Sequence, residues 1–276
     1  MGEEINTFEI QSITENNLRR PNNERPEQWD EHELTRYLEN MWSNSLGVYC
    51  NHMELVDLII KVDNLLTSFL FSTDSAHKQG GIYKVLIIRS HSSFRASVNL
   101  VFSGMVSDCM PLIRATVEWA GYANLIQNNP SYEKIWLNRD LGSAEKQLAR
   151  KTFTAGTTIK NLPDNIKGPY KKLYDATITS GAHPNIDAVL ANSAHLNNES
   201  YSTPTVQMYL NMDPENLDFS LLYVLQSGLI VLKIIETLFP DDKRNIAEET
   251  TGISQLIEEY LELHSIPPDD FDLFKN

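Results

Sequence analysis

The chain has 276 residues, a hydrophobic fraction of 41% and a net charge of −14. This composition suits a globular domain with a sizeable core and excludes global disorder. Only two cysteines occur, without the spacing of a disulfide framework or a metal site, which fits a reducing cytoplasm. No signal-peptide pattern is found, and the longest apolar run, residues 219–232, is shorter than a bilayer span. We expect a cytoplasmic protein without membrane contact.

The charge is unevenly distributed along the chain. Residues 1–60 carry 12 acids against 4 bases, and residues 241–276 carry 10 against 3. Residues 134–172, in contrast, hold nine bases and three acids. Such a basic segment attracts phosphates, although it could equally be a solvated face that pairs with the acidic ends. RNA binding is therefore predicted as possible through Lys146, Arg150, Lys151, Lys167, Lys171 and Lys172.

Apolar periodicity predicts an all-α protein built as an antiparallel helical bundle. In chain order, the predicted helices cover about 30–49, 51–71, 82–106, 107–127, 131–138, 143–153, 165–179, 215–239 and 241–264. Alternation around 203–211 predicts at most one short β-hairpin, near 200–212.

The predicted organisation is a single helical domain over 29–264. Residues 1–28 are polar and nearly free of periodic apolar positions, so we expect a flexible acidic arm there. Residues 265–276 form an acidic tail. The tryptophans are expected to pack in the core or at bundle edges rather than to stack on bases.

Two of the predicted core helices carry polar residues that need partners. His91, Arg95 and Asn99 follow one another at four-residue spacing, and Arg114 and Glu118 are spaced alike. Helices three and four should pack antiparallel, so Arg95 and Glu118 could meet across them. The set is interpreted either as an ion-pair network that holds the bundle in register or as a ligand site.

A second candidate lies where a predicted helix ends. Tyr174 lies on its apolar face, Gly181 permits the positive φ of a C-cap, and Pro184 stops the helix. His183 is thereby held at a helix C-terminus, where an imidazolium is favoured. It could serve as a general acid or base or as a phosphate contact, or it could be a turn residue bonded to backbone or carboxylate.

These residues carry a family resemblance over about 82–240. The pattern resembles that of uncharacterised bacterial proteins near the HEPN-like helical domains. The matching pieces are Ser103-Gly104, Leu112-Ile113-Arg114, Glu118, Tyr170, Leu173 and His183-Pro184. The resemblance implies an all-α bundle, often dimeric, linked in relatives to RNA processing, toxin systems or phage defence. The active relatives have an arginine four to six residues before the catalytic histidine, and His183 lacks one.

The predicted function is a non-catalytic binding or interaction protein of a bacterial stress or defence system, with a homodimer or another protein as partner. No cofactor and no metal are predicted, and enzymatic activity is left open. One alternative is a metal-independent endoribonuclease that uses His183 with Arg114 or Arg95. Another is a small-molecule pocket between helices three, four and the 216–239 helix. The candidate catalytic residues are His183, Arg114 and Glu118, and the candidate ligand-binding residues are His91, Arg95, Asn99 and Tyr174.

Overall fold

A computed structural model describes residues 29–70, 81–182, 193–195, 205–207, 210–239 and 246–266. The chain divides into two compact units, Met1–Asn40 and Met41–Asn276. The predicted arm and nearly all of the predicted tail lie outside the described residues, as does His183. The predicted domain division therefore stays a prediction.

The described part of the chain is an all-α bundle, which confirms the predicted fold class. Its helices are α1 (Glu33–Asn51), α2 (Met53–Leu70), α3 (Ile82–Phe102), α4 (Met110–Asn128), α5 (Ser131–Leu137), α6 (Ser143–Thr152), α7 (Ala155–Asn161), α8 (Asp164–Thr177), α9 (Pro214–Leu238) and α10 (Ile246–Leu263). Two strands, β1 (Ser193–His195) and β2 (Thr205–Gln207), pair antiparallel with Ala194 opposite Val206. The hairpin thus begins earlier than the predicted 200–212.

In the first unit, the described residues begin with a 3-10 turn, Trp29–Glu31. The first turn of α1 follows, where the Thr35 hydroxyl donates to the His32 carbonyl at 2.9 Å and Arg36 pairs with Glu33. The remainder of the described structure belongs to the second unit.

Helix α9 is the centre of the second unit. Sixteen of its 25 residues are buried, and it packs against α2, α3, α4, α8 and α10. Asp213 caps it by accepting from the Asn216 N–H at 3.2 Å, and Pro214 occupies the first turn. By length and composition alone α9 would also qualify as a membrane span, but most of it is buried by the other helices, as in a core helix.

Helices α3 and α4 form an antiparallel hairpin whose connection, residues 103–109, is longer than the sequence suggests. Helix α3 ends at Phe102 rather than near residue 106, because Gly104 takes a φ of 88° and turns the chain. Pro111 lies in the first turn of α4, where a proline is tolerated. Gly181 has the positive φ expected of it, at 146°.

Helix α7 was not predicted. It begins at an N-cap, Thr154, whose hydroxyl accepts from the Thr157 N–H at 3.1 Å. The helix packs on α4 at Gly121, where an added Cβ would lie 2.3 Å from Thr158 Cγ2. The absent side chain allows α4, α7 and α8 to come together beside the candidate site.

The close approach at Gly228 of α9 makes a stability prediction. A Cβ there would lie 2.5 Å from Val62 Cγ1 and 2.8 Å from Phe94 Cε2. We expect Gly228→Ala to lower the free energy of unfolding by about 1–3 kcal/mol, because the added methyl group has no room and overpacks the core. The matched control is Gly252→Ala on α10, where nothing lies within 4 Å. It should raise stability by up to about 1 kcal/mol. Urea unfolding of both variants measures this, and equal effects would contradict the close packing.

Candidate functional site

His91 and Arg95 of α3 bind residues of α2, not Glu118 of α4. His91 Nε2 lies 2.7 Å from Asp63 Oδ1. Arg95 Nε donates to the same oxygen at 2.7 Å, and its Nη2 donates to Oδ2 at 2.8 Å and to the Thr67 hydroxyl at 2.9 Å. The expected contact between Arg95 and Glu118 is therefore wrong. These contacts show that His91 and Arg95 face α2, which their four-residue spacing alone could not decide.

Asp63 is the centre of this network. Burial alone would raise its pKa, but the hydrogen bonds and charges of Arg95 and His91 outweigh that effect and hold the pKa well below the ordinary value. An ionised carboxylate only accepts, so His91 carries its proton on Nε2. Asn99 is exposed and lies outside the network, where its backbone carbonyl accepts from the Ser103 hydroxyl at 2.7 Å. Arg95 Nε and Nη2 and His91 Nε2 all have acceptors on α2, as expected of a structural contact between α2 and α3.

The candidate residues of α4 form a second polar cluster. Arg114 Nε donates to Glu118 Oε1 at 3.0 Å, and its Nη2 donates to the Tyr174 hydroxyl of α8 at 2.6 Å. The guanidinium also lies 4.6 Å from the centre of the Tyr174 ring. Tyr170 stacks beside Tyr174 with ring centres 6.2 Å apart. The structure thus brings Arg114, Glu118 and Tyr174 together, while the place of His183 relative to them stays a prediction.

The tyrosines around Glu118 are neutral. Burial, reinforced by Glu118, raises the pKa of Tyr122 to about 12 and raises that of the fully buried Tyr170 as well. At neutral pH these phenols can donate hydrogen bonds but cannot accept a proton as bases. The cluster can orient a polar group, and it lacks a phenolate that would serve catalysis.

An aromatic cavity of about 340 Å³ adjoins this cluster, and Tyr122 belongs to both. Its walls come from α4, α5, α6 and the segments between them. Trp119 and Trp136 meet edge to face with ring centres 5.9 Å apart, and Phe153 lies 4.9 Å from Trp136. The cavity is lined by Trp119, Tyr122, Trp136, Arg139, Asp140, Lys146, Ala149, Arg150 and Phe153.

Cations surround the mouth of the aromatic cavity. Lys146 and Arg150 lie one turn apart on the exposed face of α6. Among the described residues neither has a carboxylate partner. Lys167 and Lys171 of the predicted phosphate-binding set instead pair with Asp164 at 2.6 Å and Asp175 at 2.8 Å. Lys146 and Arg150 therefore place positive charge at this cavity that no carboxylate of the described residues pairs with.

Sequence reasoning predicts a packing role for the tryptophans that line this cavity. Trp119 and Tyr122 are three residues apart on α4, and Trp136 and Arg139 are three apart at the end of α5. Pairs at that spacing share a helix face, which was the available signal. Of the two free thiols, Cys109 is buried and Cys50 is exposed.

The Asp63 network makes a prediction about acid stability. The pKa of Asp63 is about 3.9 in an unfolded chain and lower in the fold, so its contribution is present above about pH 4 and is lost as pH falls towards the folded value. We expect Asp63→Asn to cost about 1.5–3 kcal/mol at pH 7 and progressively less below pH 4. Denaturant unfolding at pH 7 and pH 3 measures the difference. Asp175→Asn, at an exposed pair, is the control, and a pH-independent cost for Asp63→Asn would contradict the network.

The chain was compared with family models, curated proteins and solved structures, and none of the three comparisons finds a match. Among the described residues, no three His, Cys, Asp or Glu side chains converge as metal ligands. The aromatic cavity and its cations are therefore the features of the described structure that point to a function.

Proposed function

We propose that this chain is a binding protein whose ligand is a nucleotide unit, free or within a single strand of RNA. The observation that carries the proposal is the aromatic cavity between α4, α5 and α6 with cations at its mouth. A nucleotide joins a planar ring to a phosphate, so one ligand satisfies both features.

The aromatic residues supply the ring-binding part of the cavity. Trp119, Trp136 and Tyr122 each keep part of their surface accessible to solvent. Stacking of a base on such side chains contributes about 1–3 kcal/mol per base and tolerates different sequences. The cavity is open and small, so it holds one ring rather than an extended ligand.

The cations supply the phosphate-binding part. Arg139, Lys146 and Arg150 line the cavity against a single acid, Asp140. Arginine presents a planar set of donors to phosphate oxygens, and lysine adds a compact charge. The net positive charge at the mouth favours an anionic ligand over a neutral one.

Binding is favoured over catalysis by what the cavity lacks. Its lining contains no histidine, cysteine, serine or threonine that could act as a nucleophile or as a base near neutral pH. The endoribonuclease alternative depends on His183, which lies outside the described residues, and it remains a prediction.

The broader setting remains part of the same proposal. A HEPN-like relationship is supported by Arg114, Glu118 and Tyr170, which gather where α4 meets α8, and it carries with it the expectation of a bacterial, cytoplasmic protein. A homodimer is supported by the exposed apolar side chains of α1, since Trp42, Leu46 and Tyr49 are each at least half exposed.

The proposal is tested by measuring binding of adenosine 5′-monophosphate, adenosine, inorganic phosphate and an eight-nucleotide single-stranded RNA. We expect Trp136→Ala to weaken binding of the monophosphate by about tenfold or more, because the stacking surface is lost. Isothermal titration calorimetry measures the small ligands, and fluorescence anisotropy measures labelled RNA. Trp42→Ala, the same substitution at an exposed site on α1, should leave both affinities unchanged.

A second variant guards against a folding defect. Lys146 and Arg150 are exposed, so their joint replacement by glutamate should leave the fold intact and abolish binding of the monophosphate. Tighter binding of RNA than of the monophosphate would identify a strand as the ligand, and the reverse would identify a free nucleotide. Absence of binding to every probe would refute the proposed function.

A further inference from the structure

The surface of Trp136 that a base would use is already covered by a side chain of the same chain. The Arg139 guanidinium carbon lies 4.5 Å from the centre of the Trp136 ring. Arg139 follows the last turn of α5, where its N–H donates to the Trp136 carbonyl at 3.4 Å. The backbone therefore holds cation and ring together before any ligand arrives.

Asp140 pairs with the same guanidinium. Arg139 Nε donates to Asp140 Oδ2 at 3.3 Å, and both side chains are substantially exposed, at 44% and 77%. The cation is thus shared between an indole face and a carboxylate. An exposed pair of this kind is weak and is exchanged easily for a better anion. A phosphate that accepts two hydrogen bonds from the guanidinium is such an anion.

We infer that the Arg139–Asp140 pair, here called the latch, determines the specificity of the cavity. It favours ligands that carry both a ring and a phosphate over ligands that carry only one of them. The inference depends on the proposed function, because it assigns a specificity-determining role within that site. A ring alone must displace Arg139 from Trp136 and offers the guanidinium no new anion. A phosphate alone draws Arg139 away from Asp140 and leaves the indole face uncovered. The base of a nucleotide takes the place of the guanidinium over Trp136, and the phosphate of the same nucleotide accepts hydrogen bonds from the displaced guanidinium.

The experiment compares dissociation constants of adenosine and adenosine 5′-monophosphate in single variants of the full chain. Asp140→Asn releases the latch, so it should tighten binding of the monophosphate about threefold to fivefold and leave binding of adenosine within about twofold. Arg139→Gln removes the latch, so it should weaken binding of the monophosphate about tenfold while adenosine binds equally well or more tightly. The dissociation constant of adenosine divided by that of the monophosphate should therefore rise in Asp140→Asn and fall in Arg139→Gln.

The matched control is Asp175→Asn, which makes the same change of charge at an exposed carboxylate paired with Lys171 at 2.8 Å, away from the cavity lining. It should leave the ratio unchanged. Equal effects of Asp140→Asn and Asp175→Asn would overturn the latch, because net charge alone would then explain the result. An unchanged ratio in Arg139→Gln would also overturn it. Either of these two outcomes would overturn the latch while the unmodified protein still binds the monophosphate, so the proposed function would stand. If the unmodified protein binds none of the probes, the proposed function itself is refuted.

Discussion

The burial of α9 is the constraint on which the second unit depends. Most of the helix is apolar and buried, so several helices cover it at once, and α2 and α3 approach it so closely that Gly228 has no room for a side chain. Those covering helices turn their remaining faces towards one another or towards solvent. Polar groups on these faces must find partners, and the two polar clusters are the result.

Helix α4 links the core to the cavity, since it packs against α3 and α9 on one side and against α5, α7 and α8 on the other. The second side carries Arg114, Glu118, Trp119 and Tyr122 within little more than two turns. Gly121 lies within that stretch and lets α7 approach closely. Core packing thus fixes the position of Trp119 and Tyr122, which gives a ligand in the aromatic cavity a rigid surface on which to stack.

The elements were predictable to the extent that their signals are local. Periodicity and capping located α4 and α9 within a few residues, and the positive φ of Gly181 followed from the residue type. Helix α7 was missed because it is short and lacks a clear apolar stripe. Partners across helices were not predictable, since Arg95 could point to Asp63 or to Glu118 with the same spacing. Burial of an aromatic residue depends likewise on packing, so Trp136 and the exposed Trp42 look alike in sequence.

The Asp63 network and the cations at the aromatic cavity differ in whether their charges are paired, and this difference distinguishes a structural role from a binding role. Asp63 accepts from Arg95 through both oxygens and from His91, so both oxygens of this carboxylate are used within the network. At the cavity, Lys146 and Arg150 have no carboxylate partner among the described residues, and Arg139 is held by the ring face of Trp136 and by a weak exposed pair with Asp140. Charge that a fold leaves uncompensated beside accessible aromatic surface costs little in water and becomes strongly favourable only when an anion arrives. Such an arrangement contributes little to folding, and a binding role accounts for it.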